Sequence, residues 1–149
     1  MAQKRLRSLL IEEISVRFAT PADLDFLQQR SHAPAKILKR KVEWQEIVVA
    51  EWKGNPIGSL QFEYLWSLVP YIALIYVLPE YQRQGVGRAL LQFVETVLSE
   101  QGHRVLYSSS QVDESDPQAW HRQVGFEECG IIAGINKGVS ELFFRKMLS

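Results

Sequence analysis

The chain has 149 residues, 46% hydrophobic and 23% charged, the composition of a soluble globular domain long enough to bury a sheet under several helices. Its 17 Lys and Arg balance 17 Asp and Glu, so no field of one sign is available to hold DNA or RNA by counterion release, and we expect no nucleic-acid partner. The lone Cys129 excludes an internal disulfide and points to a reducing compartment; we expect it as a packed thiol on a strand.

Lys4, Arg5 and Arg7 precede Leu9-Leu10-Ile11 and imitate a signal peptide, but Glu12 and Glu13 end the apolar run too early. A weaker reading makes this basic segment a docking point for anionic surfaces. No stretch approaches the ~18 uninterrupted apolar residues that span a bilayer. The expectation is a cytoplasmic protein with no membrane partner.

Ile14 to Phe18 alternates like a first strand, and Thr20-Pro21-Ala22-Asp23 supplies a cap residue, a proline at the first helical position and an acid at the third. The helix so opened carries Leu24 and Leu27 on one side and fades near Arg30-Ser31. Ser31-His32-Ala33-Pro34 is a breaker, and a short helix follows near Ala35 to Val42 with Lys36, Lys39, Arg40 and Lys41 on a solvated face. Glu46 to Trp52 and Ile57 to Trp66 are β-rich runs joined as a hairpin through Lys53-Gly54-Asn55-Pro56. Tyr71 to Leu78 reads as a buried strand stopped by Pro79. From Val86 the apolar residues Leu90, Phe93, Val94, Val97 and Leu98 form a 3.6-residue stripe that ends at Gln101-Gly102.

Arg104 to Ser108 is the next strand, and strand, helix and strand of these lengths make a right-handed crossover with a parallel pair. Asp113-Glu114-Ser115-Asp116-Pro117 is a second cap-plus-proline start, opening a helix through Val124 that ends on Gly125. Phe126 to Cys129, with an extension through Ile132 left open, and Glu141 to Met147 are closing strands, with Gly134 to Gly138 as the loop between them. The fold class is α+β, a mostly antiparallel sheet with a parallel central pair flanked by helices, in one domain over 1–149.

Between the central strand and its helix lies Tyr81-Gln82-Arg83-Gln84-Gly85-Val86-Gly87-Arg88. A helix start carries amide donors without intrahelical partners and the positive end of the macrodipole, so Gly85 and Gly87 let a phosphate approach the backbone while Arg83 and Arg88 add charge. No third glycine completes a dinucleotide fingerprint and no Gly-Lys-Ser/Thr completes a P-loop. The bland alternative is an ordinary strand-to-helix turn.

This Gln82-x-x-Gly85-x-Gly87 unit resembles the pyrophosphate loop of the GNAT superfamily of N-acetyltransferases, and the resemblance extends to the order β, α, α, β, β, β, α, β, α, β, β and to the late helix ending in Gly125-Phe126. It implies acetyl-CoA as cosubstrate, with no metal. Gln82, Arg83, Gln84, Gly85, Val86, Gly87 and Arg88 would hold the pyrophosphate. Ile75, Tyr76 and Val77 would pair their backbone with the pantetheine arm, in a V-shaped opening between the strands at Tyr71 to Leu78 and Arg104 to Ser108. The implied function is acetyl transfer to a primary amine of a small molecule or peptide, and a homodimer is left open. The rival is a non-catalytic acyl-CoA-binding sensor or interaction module.

Freeing an amine of pKa about 10.4 at neutral pH costs roughly 4 to 5 kcal/mol, whereas a thiol near pKa 8.5 leaves as thiolate for about 2, so a base helps more than an acid. Where many family members carry a tyrosine acid, this chain has His121, able to donate to a thiolate or to accept a proton. The bland alternative is a partly exposed helix histidine beside a core-facing Trp120. The position of the family's glutamate base falls near Ser109, and an asparagine preceding the helix becomes Glu114. Replacement bases are Glu63, Glu114, or a water relayed through Ser108 and Ser109. Each also reads as an ordinary surface residue.

His32 and the Lys36 to Lys41 cluster lie in the segment that in this family varies with the acceptor, and would favour an acidic acceptor if they faced it. Trp44, Trp52 and Trp66 read first as core or rim and second as walls of an apolar acceptor pocket. No Cys/His set has metal-ligand spacing and no nucleophile elbow is present, so direct transfer is expected rather than an acyl-enzyme.

Overall fold

The computed structural model describes residues 13–149; the basic and apolar runs at Lys4, Arg5, Arg7 and Leu9 to Ile11 lie outside the described residues. Seven strands and four α-helices follow in the order β1 (Ser15–Phe18), α1 (Leu24–Gln28), α2 (Ala35–Glu43), β2 (Ile47–Trp52), β3 (Asn55–Leu65), β4 (Val69–Val77), α3 (Val86–Glu100), β5 (Val105–Gln111), α4 (Ser115–Gln123), β6 (Glu127–Asn136) and β7 (Val139–Met147), counted among the described residues. Short 3₁₀ turns at Pro21–Asp23 and Pro79–Tyr81 lead into α1 and toward α3.

The strand order is β1-β2-β3-β4-β5-β7-β6. The β1/β2, β2/β3, β5/β7 and β6/β7 pairs are antiparallel, while β4 and β5 run parallel with Tyr71 opposite Tyr107. Mixed α+β architecture with one parallel pair in a mostly antiparallel sheet is therefore the fold.

Two hairpins close more tightly than the sequence led us to expect. Trp52 pairs with Asn55, so the turn is Lys53-Gly54 alone, with φ of 52° and 79°. Two successive left-handed residues match the strand twist, and glycine takes the second without steric cost. Asn136 pairs with Val139 across Lys137-Gly138, φ 51° and 95°. The loop anticipated at Gly134 to Gly138 is thus mostly strand: β6 runs on past Ile132 to Asn136, its register slipping between Ile132 and Asn136. Gly134, at φ 67°, sits in that slip and donates its N–H to Ser140 Oγ at 3.2 Å.

The chain forms two compact units, one comprising residues through Phe62 with Leu74–Val94, the other Glu63–Ala73 with Glu95–Ser149. In the first, the β-branched run Ile47, Val48 and Val49 of β2 is fully buried, and Leu27 of α1 with Leu38 and Val42 of α2 joins Ile47 and Val49 in one cluster. Asp23 anchors the start of α1: its carboxylate takes both ends of the Arg17 guanidinium, at 2.7 and 3.0 Å, and the Thr20 N–H at 2.8 Å. Lys41 does not share the solvated face assigned to it. It is buried and donates to the Phe62 carbonyl at 2.7 Å and to Glu46 at 3.2 Å, while Lys36, Lys39 and Arg40 are exposed.

In the second unit Leu106 of β5, Leu142 and Phe144 of β7, Val124 and Phe126 are buried. The late helix starts earlier than expected, at Ser115 with Glu114 as its N-cap, so Pro117 is its third residue, still within the turn where a missing N–H costs nothing. Cys129 is exposed on β6 rather than packed, because both faces of β6 lie open along its length. Trp44 and Trp66 are likewise exposed, at 64% and 84%, and are not core residues. Trp52 is half-buried, edge-on to Tyr81 with 5.7 Å between centroids. No helix among the described residues is long and apolar enough to cross a membrane.

Candidate active site

The glycine loop is built as a strand end, a 3₁₀ turn and a helix start. Pro79 stops β4, the turn Pro79–Tyr81 follows, and Gln82 folds back so that its Nε2 donates to the Val77 carbonyl at 3.0 Å. Gln84 makes a similar return bond to the Glu80 carbonyl, also at 3.0 Å. Arg83 and Gly85 have φ of 62° and 88°, a left-handed pair of bends that delivers the chain into α3. The Ala89 N–H bonds the Gly85 carbonyl at 3.0 Å, so the amides of Val86, Gly87 and Arg88 are the leading donors of α3.

Gly58 of β3 underpins this element and went unnoticed in the sequence. A Cβ there would meet the Tyr76 carbonyl oxygen at 3.0 Å, Val86 Cγ1 at 3.2 Å and Leu90 Cδ1 at 3.4 Å. Only a residue without a side chain lets β3 lie this close to β4 and to the first turns of α3. The Leu78 N–H donates to the Ile57 carbonyl at 2.9 Å beside it. On the same unit, the Arg30 guanidinium lies 5.3 Å from the Tyr76 ring centroid and 5.6 Å from that of Phe26.

The second unit holds a continuous hydrogen-bonded set around Ser109. Ser109 Oγ lies 2.6 Å from the Tyr71 hydroxyl and donates to Glu141 Oε2 at 2.5 Å, while Asn136 Nδ2 donates to Glu141 Oε1 at 2.7 Å. Tyr71 stacks on Phe143 at 5.8 Å between centroids. Burial raises the Tyr71 phenol above its ordinary value of 10.0; the Ser109 hydrogen bond opposes this, and the charges of Glu141 and Glu63 add to it. Of the expected catalytic residues, the structure thus brings Ser109 and the field of exposed Glu63 to one phenol. Tyr71 and Glu141, which the sequence marks only as the starts of two strands, complete the group.

His121 is 3% exposed, so it is the inward-facing residue of α4, whereas its neighbour Trp120 is only half-buried. That reverses the expected orientation of the pair. Pro117 O accepts at 2.7 Å from Nδ1, so Nδ1 carries the proton and Nε2 must be the acceptor of the Ser108 hydroxyl, 2.7 Å away. Burial lowers the imidazole pKa below 6.5, against the smaller upward pulls of the Pro117 carbonyl and Glu141. A neutral ring with both nitrogens engaged is the result. Glu114 is the exposed N-cap of α4 and makes no side-chain cap bond.

Residues 6–126 match the family described as Acetyltransferase (GNAT) family. The chain belongs to the GNAT family. An aminoglycoside N(6')-acetyltransferase type 1 of Stenotrophomonas maltophilia is 47% identical over 62 residues, covering 42% of this chain and 40% of that protein. An S-alkylcysteine N-acetyltransferase of Bacillus subtilis is 27% identical over 94 residues, covering 59% and 53%. The GNAT chain thus spans about half the length of these curated relatives. Among solved structures, Ard1 from Thermoplasma volcanium superposes with a TM-score of 0.80 at 16% identity, over 92% of this chain and 99% of that one. The ribosomal-protein-S18-alanine N-acetyltransferase of Escherichia coli gives 0.75 at 21% identity, over 91% and 94%. yncA from Salmonella typhimurium, solved with its cofactor acetyl-CoA, gives 0.73 at 17% identity, over 92% and 95%. At these identities the likeness is one of fold.

Proposed function

We propose that this GNAT chain is an N-acetyltransferase that uses acetyl-CoA to acetylate a primary amine of a small molecule or peptide by direct attack. The observation that carries the reading is the strand, left-handed Gly85 turn and helix start between Val77 and Arg88, with Arg83 and Arg88 on either side of the leading helix amides. The acyl-CoA fits these residues: the amides of Val86, Gly87 and Arg88 suit the pyrophosphate, with Gln82 and Gln84 shaping the loop. Ile75, Tyr76 and Val77 offer strand backbone to the pantetheine amides. When bound it supplies a thioester, an acyl group already activated toward amines. Amine acceptors in the names of the relatives support N-acetylation as the chemistry.

Within this reading His121 is a positioning residue. Its neutral ring fixes the Ser108 hydroxyl on β5, next to Ser109, and keeps no N–H in reserve for a leaving thiolate. Glu63 acts through its charge on the Tyr71 phenol, and Glu114 begins α4. Departure of a thiolate needs little help, so orientation and proton removal carry the rate.

The closed hydrogen bonding of His121 also favours a second reading, a module that binds acyl-CoA without turning it over. Full-length protein incubated with acetyl-CoA and a panel of alkylamines, aminoglycosides and amino acids decides between them by released thiol. Turnover with any amine supports the enzyme. Calorimetric binding of acetyl-CoA with silence across the panel supports the module, and absence of binding at millimolar acetyl-CoA overturns both.

A further inference from the structure

We propose that Tyr71, Ser109 and Glu141 form a proton relay that carries the acceptor amine's proton to the Glu141 carboxylate. The inference rests on the N-acetyltransferase reading and supplies the base which that reading lacks. Its direction follows from counting protons. An ionised carboxylate only accepts, so the 2.5 Å contact of Ser109 Oγ with Glu141 Oε2 uses the serine's one proton. With that proton spent, the 2.6 Å contact between Ser109 and Tyr71 is made by the phenol as donor. Three oxygens are thereby lined up from Tyr71 to Glu141, and the lone pairs of the Tyr71 oxygen are the acceptor at the head of the line.

The far end is held as firmly as the middle. Asn136 donates to the other Glu141 oxygen at 2.7 Å, and the stack on Phe143 holds the Tyr71 ring. Charged and titratable groups around the relay come from three elements: Glu63 on β3, Glu141 on β7, and His121 and Arg122 on α4. Arg122 pairs with Glu128 and His121 is neutral, so no cation competes for the Glu141 carboxylate in this set. Burial keeps the phenol protonated, which is the form a relay needs, since a phenolate has no proton to pass on.

The step balances without any further reagent. The acceptor ammonium gives one proton to Tyr71 Oη, Tyr71 gives its own to Ser109 Oγ, and Ser109 gives its own to Glu141 Oε2, which frees the nitrogen lone pair. The freed amine then attacks the acetyl carbon: the C–N bond forms, the C–S bond breaks with its electron pair on sulfur, and the second nitrogen proton goes to that thiolate, which leaves as the CoA thiol. One positive charge disappears from nitrogen and one negative charge from Glu141, and nothing is oxidised or reduced. Tyr71 is the group that meets the amine, directly or through one water; Ser109 and Glu141 act through it.

The test compares benzylamine, protonated at neutral pH, with aniline, which is not, using full-length protein and its Glu141→Gln, Ser109→Ala and Tyr71→Phe variants. A relay predicts that kcat/KM for benzylamine falls by about 10²-fold or more in each variant, that the KM for acetyl-CoA holds, and that aniline transfer changes little. It also predicts that the benzylamine rate of Glu141→Gln follows the fraction of free amine as pH rises, since nothing in the variant takes the ammonium proton. Equal losses on both amines, or a Glu141→Gln variant as fast as the wild type on benzylamine, overturn the relay and leave the transferase reading standing. A wild type silent toward both amines and the wider panel overturns the transferase reading and the relay with it. Ser109→Ala, which removes a single oxygen, decides the matter should Glu141→Gln fail to fold.

Discussion

The imidazole of His121 lies flat against the ring of Phe144, with centroids 4.5 Å apart and planes 2° from parallel. Phe126 meets the same imidazole edge-on at 5.3 Å. An aromatic box of this kind accepts a histidine only when both ring nitrogens find partners, and Ser108 and Pro117 provide them.

This arrangement makes stability depend on pH. The folded-state pKa of His121 is lowered, so the unfolded chain binds the extra proton first as pH falls. Its contribution is complete above about 6.5 and is lost as pH drops toward the folded value, with a slope of up to about 1.4 kcal/mol per pH unit. Urea denaturation of His121→Phe between pH 7.5 and 5 is expected to lose that slope and to cost about 1 to 3 kcal/mol at the upper pH, where Ser108 loses its acceptor. An unchanged slope would refute the assignment.

Asp23 behaves in the same sense at lower pH. Burial pushes its carboxyl up, but the Arg17 fork and the Thr20 amide outweigh burial and hold it below 3.8. Its stabilisation is present above that value and disappears as pH falls through the folded-state pKa. Asp23→Ala removes the partner of a partly buried guanidinium and the acceptor of the Thr20 N–H together, for an expected loss of about 2 to 4 kcal/mol near neutral pH. Asp23→Asn, which keeps an acceptor for Thr20, should lose less; thermal melts of the two variants would expose the opposite order.

Gly58→Ala places a methyl 3.0 Å from the Tyr76 carbonyl, a backbone atom that cannot rotate away. Overpacking of this kind costs about 1 to 3 kcal/mol. Because the displaced atoms belong to β4 and the first turns of α3, affinity for acetyl-CoA should fall along with stability, and Gly58→Val should be worse on both counts. Calorimetric titration beside urea denaturation reads the two effects, and a Gly58→Val variant with full affinity would contradict the proposed role.

At Gly85 the requirement is conformational. With φ at 88°, a β-carbon is strained whatever space surrounds it. Gly85→Ala should lower stability by about 1 to 2 kcal/mol and weaken acetyl-CoA binding, with Gly85→Asn intermediate because asparagine tolerates left-handed backbone. Alanine matching glycine in both measurements would show that the bend is dispensable.

The elements were legible because their signals are local. The stripe from Val86 to Leu98 runs as α3, and the Thr20-Pro21 start leads through a 3₁₀ turn into α1. The Tyr71, Ser109 and Glu141 set was not legible, since its members are separated by 38 and 32 residues and meet only when β4, β5 and β7 are laid side by side. Gly58 carries no turn signal; its need for a bare Cα arises from a neighbour's carbonyl. The inward turn of His121 was missed for a different reason. Adjacent helix positions differ by about 100°, and hydrophobicity alone favours Trp120 as the buried one. Hydrogen bonds to Ser108 and Pro117 reversed that preference.

The exposure of Cys129 bears on any assay that counts liberated sulfhydryls. As the one cysteine in the chain, it will react with a disulfide reagent and give a background of up to one equivalent per polypeptide, mistakable for a single turnover. Cys129→Ser on open β6 touches none of the groups assigned to chemistry, so a serine protein gives a clean baseline. The native thiol, in turn, is a ready-made attachment point for a fluorophore on β6.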